Sequence, residues 1–190
     1  DHIREIQKEK FVHIGNHSHS HDYLIDFDKK KIVEDINKSI EIFKKEIGYN
    51  SNFFSYPFGE YSLIFKEIIK NFGFEYAFGQ HSGVVDETKD LLELPRFPIN
   101  EKYGEQKRFK MILNTLPLKY KKIEPEEKYI NLASNPPKII IEFFTDDNLK
   151  KINCYSNELD TWQKSELNFI TNLILEIKLE GKFTTERGRV

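Results

Sequence analysis

The sequence predicts an α/β protein with a parallel sheet in its first hundred or so residues, followed by a small β-rich module. Strand-like and helix-like segments alternate up to about residue 100, and short connections join them. This arrangement gives right-handed crossovers and a parallel sheet. After residue 104 proline and charge replace the alternation, so we expect the first part to end there.

Two segments have the periodicity of amphipathic helices. Between Asp28 and Ile47, apolar residues recur at steps of three or four and therefore share one helix face. Asp28 can cap this helix and Gly48 can end it. A second run from Leu63 to Phe72 repeats the pattern, and Gly73 follows it.

Short apolar runs supply the predicted strands of the first part, at residues 11–14, 52–56, 74–78 and 94–97. The later runs at 138–144, 151–155 and 173–183 predict antiparallel strands, because the last of them alternates with period two. We therefore divide the chain into residues 1–104, a helix (107–116) and linker within 105–137, and a β-rich module at 138–190. We expect Trp162 to pack in the core of that module, with a carbohydrate platform as the alternative.

Composition excludes several classes of protein. Lys and Arg total 29 and Asp and Glu total 31, a net charge of −2, which argues against nucleic acid as a partner. The longest apolar stretches span only three or four residues, so we predict no membrane span. A single cysteine excludes an internal disulfide framework and a four-cysteine zinc site.

The histidines gather where the predicted strands end. Five of the six lie at or beside loops that follow strands, and such loops meet at one rim of a parallel sheet. His17 and His21 are four residues apart, so a single helical turn would aim both rings at one point. Two imidazoles suit zinc, cobalt or nickel and need a third ligand, usually a carboxylate. The alternative is a solvated loop, and we expect His19 to be a bystander.

The loop after the second strand reads Tyr56-Pro57-Phe58-Gly59. Proline and glycine favour a tight turn that can present a backbone N–H to a developing oxyanion. A plain turn without a chemical role is the alternative.

Residues 14–21 (Ile-Gly-Asn-His-Ser-His-Ser-His) and 54–60 (Phe-Ser-Tyr-Pro-Phe-Gly-Glu) together resemble the polysaccharide deacetylase (NodB-homology) family, carbohydrate esterase family four. The first stretch resembles the family's His-Ser/Thr-x-x-His metal motif, and the second its Arg-x-Pro-Tyr-Gly groove motif. Residues 94–101 resemble the closing segment of deacetylases related to those acting on poly-β-1,6-N-acetylglucosamine. The resemblance covers residues 1–103.

The resemblance implies a distorted (β/α) barrel of the deacetylase type that lacks its N-terminal strands. It implies a metal-dependent hydrolase that removes N-acetyl groups from a polysaccharide containing N-acetylglucosamine. His17 and His21 would bind a divalent metal, with zinc favoured over cobalt or nickel, and Ser18 would steady their loop. The second motif would contribute the Phe58 backbone N–H to the oxyanion. The family also implies a place in the cell envelope, periplasmic or secreted.

In the family, the second motif also lines the groove that binds substrate. The rings of Tyr56 and Phe58 would pack against a sugar, and Pro57 and Gly59 would shape the turn that carries them.

The sequence also departs from the family pattern. The Thr-Phe-Asp-Asp stretch that supplies the base and the third metal ligand is not found in these residues, and Ser55 replaces the groove arginine. The sequence starts within an amphipathic pattern, without an initiating Met or a signal peptide, and we expect it to be a piece of a longer protein. An N-terminal segment of the same protein is then the expected source of the missing acids.

Two further residues have weaker assignments. His81 is the candidate general acid, with a loop histidine bonded to backbone as the alternative. Arg96 would orient a carboxylate near the metal or pair with acids of a helix. Two other functions stay open: a non-catalytic carbohydrate-binding or scaffold protein that keeps the fold, and a different metal hydrolase with an amidohydrolase-like or phosphoesterase-like barrel.

Overall fold

The computed structural model describes residues 2–147 and 149–190. The chain divides into two compact units, of which the first ends at Leu118 and the second runs from Lys119 to Val190. This boundary lies inside the segment 105–137 that the sequence predicted to be a helix and linker. None of the described helices combines the length and the apolar character that crossing a membrane requires.

The first unit contains the helices and the parallel strands. Its elements are, in chain order, α1 (His2–Ile6), α2 (Lys29–Ile47), β1 (Phe53–Ser55), α3 (Leu63–Asn71), β2 (Tyr76–Phe78) and α4 (Gln106–Leu113). Strands β1 and β2 pair in parallel with Phe54 opposite Ala77. The predicted parallel pairing of these two strands is confirmed.

The ends of α2 and α3 follow from local sequence. The Asp28 side chain accepts a hydrogen bond from the Lys31 N–H at 2.9 Å, and Gly48 ends α2 in the left-handed conformation at φ 93°. The Ser62 hydroxyl accepts from the Phe65 N–H at the start of α3. The predicted cap and stop of α2 are confirmed.

Two predicted strands are absent, and single bridging residues lie beside β1 and β2 instead. Residues 11–14 form no strand; instead Asn16 bridges to Phe54 in parallel, and Leu94 alone bridges to Phe78. The prediction of a strand at 11–14 is wrong because its apolar side chains are not covered, and Phe11 is 88% exposed. The order across the sheet is therefore Asn16, β1, β2, Leu94, and the loops that follow these positions lie at the same sheet edge.

Helices α2 and α3 cover one face of this sheet. Their apolar side chains enclose Phe54 of β1, which is only 1% exposed. Burial of one such side chain contributes about 1.5–3 kcal/mol. The cluster fixes β1 against both helices, so the loop that follows β1 starts from a well-packed strand. Its buried members are Leu24, Ile32, Ile36, Phe54, Tyr56, Tyr61, Phe65, Ile68, Ile69, Phe74 and Ala77.

The second unit contains antiparallel strands. They are β3 (Lys122–Glu124), β4 (Ile139–Glu142), β5 (Tyr155–Glu158), β6 (Thr161–Lys164), β7 (Glu166–Thr171) and β8 (Ile174–Lys178). Four of them form a sheet in the order β3-β4-β8-β7, and β5 pairs with β6 in a hairpin. Leu175 and Ile177 of β8 are buried, in keeping with the period-two pattern of that segment.

Trp162 lies on β6, where its side chain is 62% exposed. The prediction that it packs in the core is wrong, because all the residues of β6 are exposed.

Candidate active site

The histidine-rich loop starts from a buried anchor, Asn16. Asn16 is 4% exposed, and its backbone N–H donates to the Phe53 carbonyl of β1. Its side-chain Oδ1 accepts hydrogen bonds from the Ser18 N–H and from the Ser39 hydroxyl of α2, both at 3.0 Å. The loop is therefore attached at its first residue to both the sheet and a helix.

Two residues of this loop are in the left-handed conformation. Ser18 has φ 67° and His21 has φ 56°, and the Ser18 hydroxyl accepts a hydrogen bond from the His21 N–H at 3.1 Å. The chain thus folds back on itself between the two histidines. This corrects the sequence-based expectation of a helical turn: two left-handed residues, rather than helical periodicity, bring the side chains together.

The imidazoles of His17 and His21 lie side by side. Their ring centroids are 4.8 Å apart, the ring planes meet at 72°, and both side chains are exposed. His17 Nδ1 lies 2.6 Å from the Ser55 carbonyl oxygen. Because a carbonyl only accepts, Nδ1 carries the proton and the Nε2 lone pair of His17 is available to a ligand. A hydrogen bond of this kind to the second ring nitrogen fixes the tautomer and the ring orientation in histidines that bind metals.

The second loop forms a tight turn next to these rings. Pro57 is buried and starts a single 3₁₀ turn, Pro57–Gly59, within which Phe58 is left-handed at φ 56° and ψ 3°. Gly59 is also left-handed, at φ 73°, and a Cβ there would collide with the backbone nitrogen of Gln80. Within the described residues the Phe58 N–H donates to no acceptor, so it is available to a substrate oxygen.

The Phe58 side chain joins a small aromatic wall. Its ring centroid lies 4.8 Å from that of His21. The Phe58 ring also stacks on the Tyr23 ring, with the centroids 3.8 Å apart and an interplanar angle of 12°. Tyr23 is 38% exposed, so the wall is open to solvent. Sequence reasoning missed Tyr23, since no local pattern relates it to a residue in a loop 35 positions away.

Tyr56 does not take part in this wall. Its side chain is fully buried, and its hydroxyl donates to the Leu92 carbonyl at 2.9 Å. Burial, reinforced by Tyr61, Asp90 and Glu93, raises the pKa of the Tyr56 hydroxyl far above its ordinary value. The prediction that the Tyr56 ring contacts a sugar is wrong, because the residue belongs to the core.

His81 and Arg96 lie together at the end of β2. His81 is exposed, its ring centroid is 6.4 Å from that of Tyr61, and its carbonyl accepts a hydrogen bond from the Arg96 N–H at 3.0 Å. Gly79 permits this arrangement, since a Cβ there would approach His81 Nδ1 to 2.7 Å. The Arg96 side chain is exposed. The general-acid role of His81 and the orienting role of Arg96 stay predictions.

The donor atoms of this loop match part of what a divalent metal requires. Two adjacent imidazoles, one with its proton fixed on Nδ1, suit two positions of a zinc-type site. Residues 2–147 and 149–190 contain no group of three or more His, Cys, Asp or Glu side chains placed to hold an ion. Asp28 is used as the cap of α2. The described residues thus place two nitrogen donors side by side, and a zinc-type site built on them would need a third ligand.

Residues 1–77 match the family model described as polysaccharide deacetylase. The match includes the histidine loop and the turn at Pro57–Gly59, and it confirms the resemblance to this family that the two motifs predicted. A search of curated proteins gave no match.

Solved structures of deacetylases are also similar to the chain. They include the deacetylase PplD of Streptococcus pyogenes in complex with acetate (17% identity, TM-score 0.49, covering 53% of this chain and 44% of that one). IcaB from Ammonifex degensii matches at 21% identity and a TM-score of 0.43, covering 47% and 42%. A de-N-acetylase from Aggregatibacter actinomycetemcomitans matches at 17% identity and a TM-score of 0.47, covering 58% and 51%. The chain thus spans about half the length of the solved structures that it matches.

Proposed function

We propose that this chain carries part of the active site of a metal-dependent polysaccharide deacetylase. The observation that supports this most directly is the His17–His21 pair, in which the rings are adjacent and the Ser55 carbonyl orients one of them. The family match to residues 1–77 supports the same assignment.

In this proposal His17 and His21 are two ligands of a divalent metal, zinc in the first place. A bound divalent metal polarises an acetyl carbonyl and activates water. A carboxylate must complete the ligand set, and we propose that a segment of the same protein supplies it. The Ser55 carbonyl keeps the His17 proton on Nδ1, and the hydrogen bond from His21 N–H to the Ser18 hydroxyl holds the backbone of the second ligand.

The turn at Pro57–Gly59 would act on the substrate. The Phe58 N–H is the proposed donor to the oxyanion that forms when water attacks the acetyl carbon. The left-handed conformation of Phe58 holds that N–H in a fixed direction, so little reorganisation is needed during the reaction. The Phe58 and Tyr23 rings would pack against a sugar face. His81 is the proposed general acid that protonates the leaving amine.

The proposed substrate is a polymer that contains N-acetylglucosamine, and the proposed location is the cell envelope. The substrate proposal rests on the resemblance of residues 94–101 to deacetylases related to those acting on poly-β-1,6-N-acetylglucosamine. The location follows because such polymers lie outside the cytoplasm.

The test measures zinc content and acetate release for the full-length protein and three histidine variants. We expect His17→Ala and His21→Ala to lose stoichiometric zinc and acetate release from an N-acetylglucosamine polymer. His19→Ala is the matched control: it lies in the same loop, but only its backbone N–H is used there, in a hydrogen bond to Asp35. Zinc retained at one equivalent in His17→Ala would refute the ligand assignment. Polymer binding without acetate release by the wild type would instead favour the non-catalytic carbohydrate-binding protein.

A further inference from the structure

The side chain of Asp35 holds the middle of the histidine loop. Asp35 lies on α2 and is half-buried. One of its carboxylate oxygens accepts a hydrogen bond from the His19 N–H and the other from the Ser20 N–H, both at 2.9 Å. These two amides lie between His17 and His21 in the chain. A single carboxylate therefore binds the backbone that connects the two rings.

Helix α2 holds the loop at a second point as well. Ser39 is four residues after Asp35 and thus on the same helix face. Its buried hydroxyl lies 3.0 Å from Oδ1 of Asn16, the residue at which the loop leaves the sheet, and shares its proton between that oxygen and the Ile36 carbonyl at 2.7 Å. Ile36 of the same helix is fully buried in the core. The two polar contacts therefore belong to a helix whose position is fixed by packing.

The backbone of the loop needs such support. Ser18 and His21 are both left-handed, a conformation that is unfavourable for residues with a side chain. The positions bonded to Asp35 lie directly between them. A charged carboxylate that accepts from two adjacent amides makes stronger bonds than a neutral acceptor. Loss of this contact would allow both residues to relax, and the two rings would then separate.

We propose that Asp35 is a positioning residue that sets the mutual orientation of the His17 and His21 imidazoles. It does so through the backbone of His19 and Ser20, without contact to either ring. The consequence for metal binding rests on the proposed function, whereas the consequence for ring orientation does not. Asp35→Asn keeps the shape of the side chain but can accept with only one of its two end groups, and Asp35→Ala removes both acceptors.

The first measurement uses nuclear magnetic resonance of the metal-free protein. In Asp35→Ala we expect hydrogen exchange at the His19 and Ser20 amides to accelerate roughly tenfold or more, and the cross-relaxation peak between the rings of His17 and His21 to disappear. Asp35→Asn should have an intermediate effect. Glu34→Gln is the matched control, because it removes the same charge from the adjacent position of α2, where Glu34 pairs with Lys30.

The second measurement is titration with zinc and with cobalt, whose visible absorption reports ligand geometry. We expect zinc affinity to fall about 10–100-fold in Asp35→Ala, the range typical for removal of a partner outside the ligand set, with a changed cobalt spectrum. Glu34→Gln should keep both the affinity and the spectrum of the wild type.

The outcomes separate the two proposals. Unchanged amide exchange and an unchanged ring–ring peak in Asp35→Ala would overturn the positioning role. An equal loss of zinc affinity in Glu34→Gln would also overturn it, since charge and not position would then explain the effect. A full-length wild type that binds no zinc would refute the proposed function, whereas amide exchange and the ring–ring contact would still decide the role of Asp35.

Discussion

The hydroxyl of Tyr56 offers a test of whether this residue serves the core or the substrate. Tyr56→Phe keeps the ring, which packs at centroid distances of 5.0 Å on Tyr61 and 5.1 Å on Phe65. The substitution removes only the 2.9 Å hydrogen bond to the Leu92 carbonyl. Because the pKa of this hydroxyl is raised by burial, the group remains a protonated donor at all ordinary pH values.

The expected loss follows from this single contact. Removing one partner of this partly buried hydrogen bond leaves the Leu92 carbonyl unsatisfied, which costs about 1–3 kcal/mol. We therefore expect the free energy of unfolding of the first unit to fall by roughly 1–2 kcal/mol in Tyr56→Phe. In Tyr56→Ala the ring is lost as well, and the expected fall is about 3–5 kcal/mol.

Urea unfolding followed by circular dichroism at the helical band measures this loss, since all α-helices of the described residues lie in the first unit. Tyr49→Phe is the control, because Tyr49 is 40% exposed. In the full-length protein, the proposed deacetylation should be the same for folded Tyr56→Phe as for the wild type. A Tyr56→Phe variant with unchanged stability but a weakened affinity for the polymer would refute this reasoning. Tyr56 would then be a residue that contacts the substrate.

Two further predictions concern the same unit. The Lys66 ammonium pairs with the carboxylates of Asp90 at 2.6 Å and Glu93 at 2.9 Å. Burial acts to raise the pKa of Asp90. The hydrogen bonds from Lys66 and from the Leu92 N–H outweigh burial and hold that pKa below its ordinary value. A depressed folded-state pKa adds stability above the unfolded value of about 4, and this stability is lost as the pH falls through the folded pKa. Urea unfolding at several pH values should therefore show less acid destabilisation in Lys66→Met than in the wild type, and equal slopes would contradict the pairing. Gly59→Ala should lower the free energy of unfolding of the unit by at least about 2 kcal/mol, because a left-handed alanine costs about 1–2 kcal/mol and its Cβ would also collide with the Gln80 backbone. Gly48→Ala is the control for the collision, since Gly48 is also left-handed but has nothing near the position of a Cβ.

Local sequence predicted the helices of the first unit well. The cap at Asp28, the left-handed stop at Gly48 and the apolar face with Ile32 and Ile36 are all present in α2. These features depend on residues within a few positions of each other, so a short window contains the physical information. The strand at 11–14 failed for the opposite reason. A strand requires a partner, and residues 11–14 pair with none; the bridge to β1 is made by Asn16, two residues further on.

The residue pair and the turn proposed for the site were both visible as motifs, but their arrangement depends on contacts that are distant in sequence. The Ser55 carbonyl orients His17 from 38 residues away, Asp35 binds the loop from a helix, and Tyr23 stacks on Phe58. No periodicity encodes such contacts, because they form only when the core brings α2 and β1 together.

The sequence alone thus determined which residue types occur beside the strand ends: imidazoles suited to a metal and a turn able to present an N–H. Tertiary structure decided which of their neighbours serve the site and which serve the core. Tyr56 and Phe58 show the difference, since they are two positions apart in one motif. The extended backbone of Tyr56 directs its ring into the core, and the left-handed backbone of Phe58 places its ring beside His21.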